Sequence, residues 1–497
     1  MRSLHLRDAV RAAILILPVL IGTANADPFA NPGDTSLRAD LQLLNDAGVL
    51  DVPLTAWPLS FGDVALGLRE AELAKPGSAV AAAIDRVRDR VRRESDAAVW
   101  RFDLGSSLAE NPRVIRTFEN TPRERAESFV RMNRLGERFA VDIQLTATVN
   151  PFDGEKIRPD GTYVGFALGN WILSAGWLER WWGPGNAGSL ILSTNARPSP
   201  GIAVQRNDSK AFETEWLSWI GPWKLTSFMD WLGDEREITN TLLFGARFSF
   251  RPISGLEISL SRAAQWCGEG RPCDLKAFFN MLVGNDNGGI NVDPEDEPGN
   301  QLAGMDLRWA LPGQIPLAFY LQWIGEDGRN GTPLPGSWIR QVGAEVWGEI
   351  GDLPHKTFLE LSDTTCHEGG LGEADLKPDS CYEHSIYRTG YRYQGRSIGH
   401  SIDGDGLSYS LGSTLVQSTG HSWNVLLRYM ELNRVGAPNP RHTLSATPQD
   451  LTDLQISHDR ITPIGTFKFG LGYSRWEDRA KTSTSDEASV FMQWSSR

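Results

Sequence analysis

The residues best equipped for chemistry are spread thinly along this chain. Its eight His are scattered. His367-Glu368 lacks the second His four residues on that a zinc-binding His-Glu-x-x-His helix requires. Neither a Gly-x-Ser-x-Gly elbow nor a phosphate loop is present, and there is no convincing dinucleotide fingerprint. A Ser-His-Asp triad drawn from distant positions stays open, because its members need not be near in sequence. No catalytic residue is assigned, and the chain is expected not to be an enzyme.

Four Cys fall into two close pairs, Cys267 with Cys273 and Cys366 with Cys381, each across a Gly-rich, loop-like stretch. In an exported chain this spacing favours two local disulfides. Metal sites are the weaker alternative, since C-x2-C is absent and only His367 lies beside a Cys. Asp286, Asp293, Glu295 and Asp296 sit in one acidic stretch that lacks the ligand spacing of an EF-hand, so it reads as a solvated loop. No metal or cofactor is expected.

Exposed aromatic rings beside acids and amides suit carbohydrate. Sugar C–H faces stack on Trp and Tyr, and the hydroxyls need paired donors and acceptors. Trp266, Tyr382, Glu383 and His384 are the candidate loop contacts; interface anchoring or loop packing is the competing explanation. The most distinctive stretch is Trp181-Trp182-Gly183-Pro184-Gly185, continuing through Ser193-Thr194-Asn195-Ala196-Arg197-Pro198.

The elements around these residues set the fold class. Arg2, Arg7 and Arg11 precede the apolar run Ile14–Ile21 and the Ala24-Asn25-Ala26 cleavage pattern, which reads as a secretory signal over residues 1–26. The chain carries a net charge of −13. The signal holds three Arg against one Asp, a net +2, so the remainder is near −15. An exported chain this acidic is a poor nucleic-acid partner. Mean hydropathy is −0.30, which leaves no room for a bundle of membrane helices.

Residues 27–97 show helical period, and we expect a small helical bundle there. One stripe is Leu37, Leu41 and Leu44, with Ser36 as its cap and Gly48 as its stop. A second is Phe61, Val64, Leu68 and Ala71, with Ser60 and Asp63 in a capping-box arrangement. A third is Val80, Ile84, Val87 and Val91 between Ser78 and Glu94. Three short helices bury little alone, so they are expected to dock on something larger.

From about Val99 the period becomes two, and residues 98–497 are expected to be one β-domain. Phe139, Val141, Ile143, Leu145, Ala147 and Val149 alternate with Asp142, Gln144, Thr146 and Thr148. The same rhythm runs through Val342–Ile350, Trp423–Tyr429, Phe467–Tyr473 and Ala488–Trp494. A soluble sandwich shares it. Three features favour a transmembrane barrel: runs near 10 residues, a charged opposite face, and Trp near strand ends (Trp171, Trp177, Trp219, Trp223, Trp231, Trp309, Trp323, Trp347). There are 18 Trp, more than core packing needs. About 400 residues at roughly 10 per strand plus connections gives about 16–20 antiparallel strands. Gly284–Asn300, Asp363–Ser385 and Val435–Asp453 read as long polar loops, while Arg251–Gly255 and Ile220–Pro222 read as short turns on the other side.

The Trp181–Arg197 stretch resembles the capsule assembly Wzi family. So do Leu37–Gly48 with Leu54–Leu59, and Asn240–Arg262. The resemblance implies an 18-stranded outer-membrane β-barrel with a periplasmic helical bundle. It also implies a lectin-like role, attaching exported capsular polysaccharide to the cell surface. Capsular polysaccharide, outer-membrane lipid and the export machinery are the partners it points to. Trp181, Trp182, Gly183, Pro184, Asn195 and Arg197 would be either a sugar site or a block that fills the lumen; the rigid Gly-Pro-Gly turn and the chance of Arg197 pairing with acids inside the barrel favour the block. The alternatives are a porin-type channel for small solutes, and a hydrolase. One departure from barrel habit is the C-terminus, Trp494-Ser495-Ser496-Arg497, where the last aromatic comes three residues early.

Overall fold

A computed structural model describes residues 29–70, 78–94, 100–283, 299–312, 316–328, 335–350, 353–369, 375–435, 438–481 and 483–496. The expected signal and the acidic candidates of residues 286–296 lie outside them. Among the described residues, an antiparallel sheet closes on itself. Eighteen of its strands have six or more residues, from Arg101–Glu110 to Ser483–Ser495. Closure joins the last strand to the first, with Trp494 opposite Ser106 and Ser495 opposite Gly105. The early final aromatic therefore still sits in the seam.

Burial along the wall is inverted relative to a soluble protein. Leu104, Val130, Leu145, Ile202, Leu359 and Leu471 point outward and are exposed, while Arg247, Asp306, Gln322, Glu345 and Glu360 point inward and are buried. Period two with polar groups inside places every apolar face toward lipid. The run at Phe139–Val149 is a strand with those bounds, and its Asp142 and Thr148 face the lumen.

The three N-terminal helices are α1 (Thr35–Asp46), α2 (Phe61–Glu70) and α3 (Ser78–Glu94). Leu37, Leu41, Leu44, Phe61, Val64, Leu68, Ile84, Val87 and Val91 share one core with Trp57, Phe118 and Trp181, so the helices do pack onto the barrel's contents. Two capping expectations are corrected. Asp34, not Ser36, caps α1, accepting from Leu37 N at 2.9 Å, because the helix begins at Thr35 and Ser36 already lies inside its first turn. Asp63 does not reach back to Ser60; it accepts from Ser209 N and pairs with Lys224 Nζ at 2.9 Å, tying α2 to the barrel.

The helices sit at the end with short turns. Arg86 of α3 reaches the Gln417 carbonyl, in the turn between strands Leu407–Val416 and Ser422–Leu432. Asp46 of α1 binds Arg308 and Trp347 Nε1. Trp347 therefore faces inward and is not an interface ring, a correction that follows from its sharing the face of buried Glu345. Ile220–Pro222 is likewise no short turn; it ends the connection 207–222 that carries Ser209. At the other end one long connection begins later than expected and another ends earlier, since strand Leu353–Glu368 already contains Asp363 and strand Gln449–Thr462 already contains Asp453.

Candidate functional site

The connection between strands Trp171–Gly176 and Gly201–Arg206 folds into the lumen, and it carries the tryptophan stretch. Trp181 and Trp182 pair antiparallel with Trp57 and Ala56 and are 1% and 0% exposed. Phe118 stands edge-on between the Trp57 and Trp181 rings at 5.2 and 5.3 Å. Such edge-to-face contacts fix orientation as well as burying area.

Below, the block rests on the helical segment. Gly183 N donates to Thr55 O, and Arg38 of α1 donates to Pro184 O and Gly185 O. At its flank, three successive amides at Asn186, Ala187 and Gly188 donate to the Glu360 carboxylate at 2.7, 3.2 and 3.1 Å. Gln322 accepts from Leu190 N and donates to Trp182 O, and Gln341 donates to Gly188 O. These wall residues pay the hydrogen-bonding debt of a buried irregular segment. Glu360, Gln322 and Gln341 were not singled out from sequence; the only signal they give there is a polar residue at an inward position.

Above, residues 378–406 cover the block. Tyr382 and Tyr391 stack at 5.8 Å, and their hydroxyls donate to Leu190 O and Ile191 O. Asn195 Nδ2 donates to Ser397 O, and Ser193 N to Ile398 O. Burial pushes the Tyr382 hydroxyl well above its ordinary value, which keeps it a donor. Arg197 pairs with Asp153, Glu155 and Asp160 of the connection at residues 150–162, with an exposure of 9%. Trp181, Trp182, Gly183, Pro184, Asn195 and Arg197 thus lie together inside the barrel, gripped from below, beside and above.

The loop candidates divide. Tyr382 is fully buried, and Trp266 packs against Phe278 with its Nε1 on Met229 Sδ. Neither ring is open to a sugar, and both expectations are corrected; each ring is spent on holding a loop to the wall. Glu383 and His384, by contrast, line a polar cleft of about 400 Å³ at the long-loop end, with Glu326, Asp379, Ser385, Arg388 and Arg441. Disulfide Cys366–Cys381 ties this loop to the end of strand Leu353–Glu368, and Cys267–Cys273 closes a separate turn. Glu326 approaches the Cys366 and Cys381 sulfurs, but the bridge removes the thiolates that would bind a metal.

A transmembrane β-barrel whose lumen is filled by its own chain, with helices at one mouth and a polar cleft at the other, is the class these features define. The sequence model of the family described as capsule assembly protein Wzi matches residues 102–489, and the chain belongs to that family. An uncharacterized 55.8 kDa protein in the cps region of Klebsiella pneumoniae is 30% identical over 489 residues, 96% of this chain and 91% of that protein. A solved structure of Wzi from Escherichia coli, described as an outer membrane protein involved in group 1 capsule assembly and a carbohydrate binding β-barrel, matches with a TM-score of 0.79. Identity is 26%, over 94% of this chain and 98% of that one. This chain is an outer-membrane β-barrel, so the short-turn end with the helices faces the periplasm and the long-loop end faces outward.

Proposed function

We propose that this protein binds exported capsular polysaccharide at the cell surface and supports capsule assembly and attachment, without catalysing a reaction. The observation that carries the proposal is the filled lumen: a chain that seals its own barrel with Trp181, Trp182 and Leu190–Leu192 spends its interior on rigidity, and its outer loops are what remain for a ligand. Membership in the Wzi family and the likeness to a carbohydrate binding relative support the same reading. Residues 27–97 serve in it as the periplasmic unit, residues 98–497 as the barrel, and the helical face is where export machinery would engage.

The runner-up is a porin-type channel, which needs an open polar path that this packing opposes. Deleting the gene and comparing cell-bound with released polysaccharide tests the two. A shift of polysaccharide into the medium, with the total unchanged, is the expected result. Unchanged attachment with reduced uptake of a small solute would favour the channel.

A further inference from the structure

We propose that the outer cleft lined by Glu326, Asp379, Glu383, Ser385, Arg388 and Arg441 is the subsite that seats one uncharged pyranose unit of the polysaccharide, with Glu383 accepting from its hydroxyls. The proposal rests on the function proposed above and gives it an address. The cleft measures about 400 Å³, within the range of about 300–1,000 Å³ usual for small-molecule sites.

Glu383 supplies the chemistry. It is 5% exposed. Its Oε1 accepts from Arg392 Nη2 at 2.5 Å and Asn439 Nδ2 at 2.9 Å. Among the described residues its Oε2 accepts no hydrogen bond, and Arg441 Nη2 stands 3.5 Å away. A buried carboxylate oxygen left without a donor is costly, so its retention at the wall of a cleft points to a ligand that donates.

The neighbouring charges select the class of donor. Arg388 already faces Glu237 at 3.5 Å, and Arg441 donates to Arg388 O at 3.0 Å as well as facing Glu383. Both cations have partners, and three carboxylates at Glu326, Asp379 and Glu383 leave the cleft rich in acceptors. A sugar hydroxyl satisfies such a surface, whereas a sugar carboxylate would have to displace Glu237 from Arg388 or Glu383 from Arg441. The frame is fixed before binding. Arg392 clamps Glu383 and Asp403 together, and the Cys366–Cys381 bridge and the Tyr382–Tyr391 stack hold the loop. A site held in place in this way loses little freedom on binding.

The test uses the full chain in detergent micelles. Oligosaccharides released by partial hydrolysis of the polysaccharide from the strain carrying this chain serve as the probe, with glucose and glucuronate as competitors. Glu383→Gln and Ser385→Trp should each weaken binding about tenfold, the scale of one hydrogen bond to a charged group. Glucose should compete better than glucuronate. Ser385 is exposed, so its Trp variant fills the cleft without disturbing the buried Arg392 pairs and should unfold at the native temperature. Native-like binding by both variants overturns the subsite and leaves the function reading intact. No binding by the native chain overturns both. Binding lost to EDTA and restored by Ca²⁺ would replace direct hydroxyl acceptance with a cation site and also overturn the proposal.

Discussion

Arg38 donates from Nη2 to the carbonyls of both Pro184 and Gly185, at 2.8 Å each. One guanidinium on a periplasmic helix thus holds the turn at the centre of the lumen block. It also lies 4.3 Å from the Phe118 ring centroid and 5.8 Å from that of Trp181. Burial lowers its pKa to about 10, so it keeps its charge at neutral pH.

Arg38→Met should therefore cost about 2–4 kcal/mol, because two buried carbonyls lose a charged donor and the rings lose a cation. Denaturant unfolding in detergent measures it. A loss below about 0.5 kcal/mol, the usual size of a surface change, would mean that the block stands without the helix.

Gly188 is where the block passes under the outer loop. A Cβ there would overlap the His400 ring, so only Gly fits beneath it. Gly188→Val should force the loop and block apart at a cost of about 1–3 kcal/mol, the usual scale of overpacking. Protease should then cut within residues 378–406 faster than in the native chain, while the barrel keeps its heat-modifiable migration. Equal cutting rates would show that the two layers are not in register.

What the sequence revealed, and what it hid, divides along the range of the interactions. Strand Phe139–Val149 was legible because lipid on one face and lumen on the other impose period two residue by residue. The stripes Leu37-Leu41-Leu44 and Val87-Val91 were legible because a helix buries one face. The contacts of Glu360 with Asn186–Gly188 were not, since about 170 residues separate them and barrel closure alone brings them together. Tyr382 is hidden for the same reason: a Tyr in a polar loop looks exposed until the block that receives its hydroxyl is known.

Protonation of His400 should loosen the cover of the block. Burial, aided by the Arg428 charge, lowers the His400 pKa to about 3 from an ordinary 6.5. The folded chain thus prefers the neutral ring, so its contribution is full above pH 6.5 and is lost as pH falls toward 3. Each pH unit in that window costs up to about 1.4 kcal/mol for one proton. Asp403, held to about 2 chiefly by the Arg392 guanidinium against the effect of burial, acts in the same direction. Asp405, pushed up to about 7 by burial, acts in the opposite one, and its contribution fades as pH rises from about 4 to 7. The clean readout is the difference between the native chain and His400→Gln. The native thermal transition should fall relative to the variant's as pH goes from 6.5 to 4, and parallel curves would remove His400 from the account.

The Cys366–Cys381 bridge spans 15 residues of sequence, a loop for which the chain-entropy model gives about 3 kcal/mol. Cys366 belongs to the wall and Cys381 to the outer loop, so the bridge stabilises the cover more than the barrel. Cys366→Ser should expose one new thiol to a maleimide probe and lower protection of the Tyr382–Tyr391 segment from protease. The variant should keep its β circular dichroism and its shift between heated and unheated electrophoresis, because strands Leu353–Glu368 and Leu407–Val416 also pair directly, from His355 opposite Leu415 to Asp363 opposite Leu407. Four reactive thiols in the native protein would refute both local bridges. Loss of the heat-modifiable form in the variant would mean that the loop, and not the wall, carries the fold.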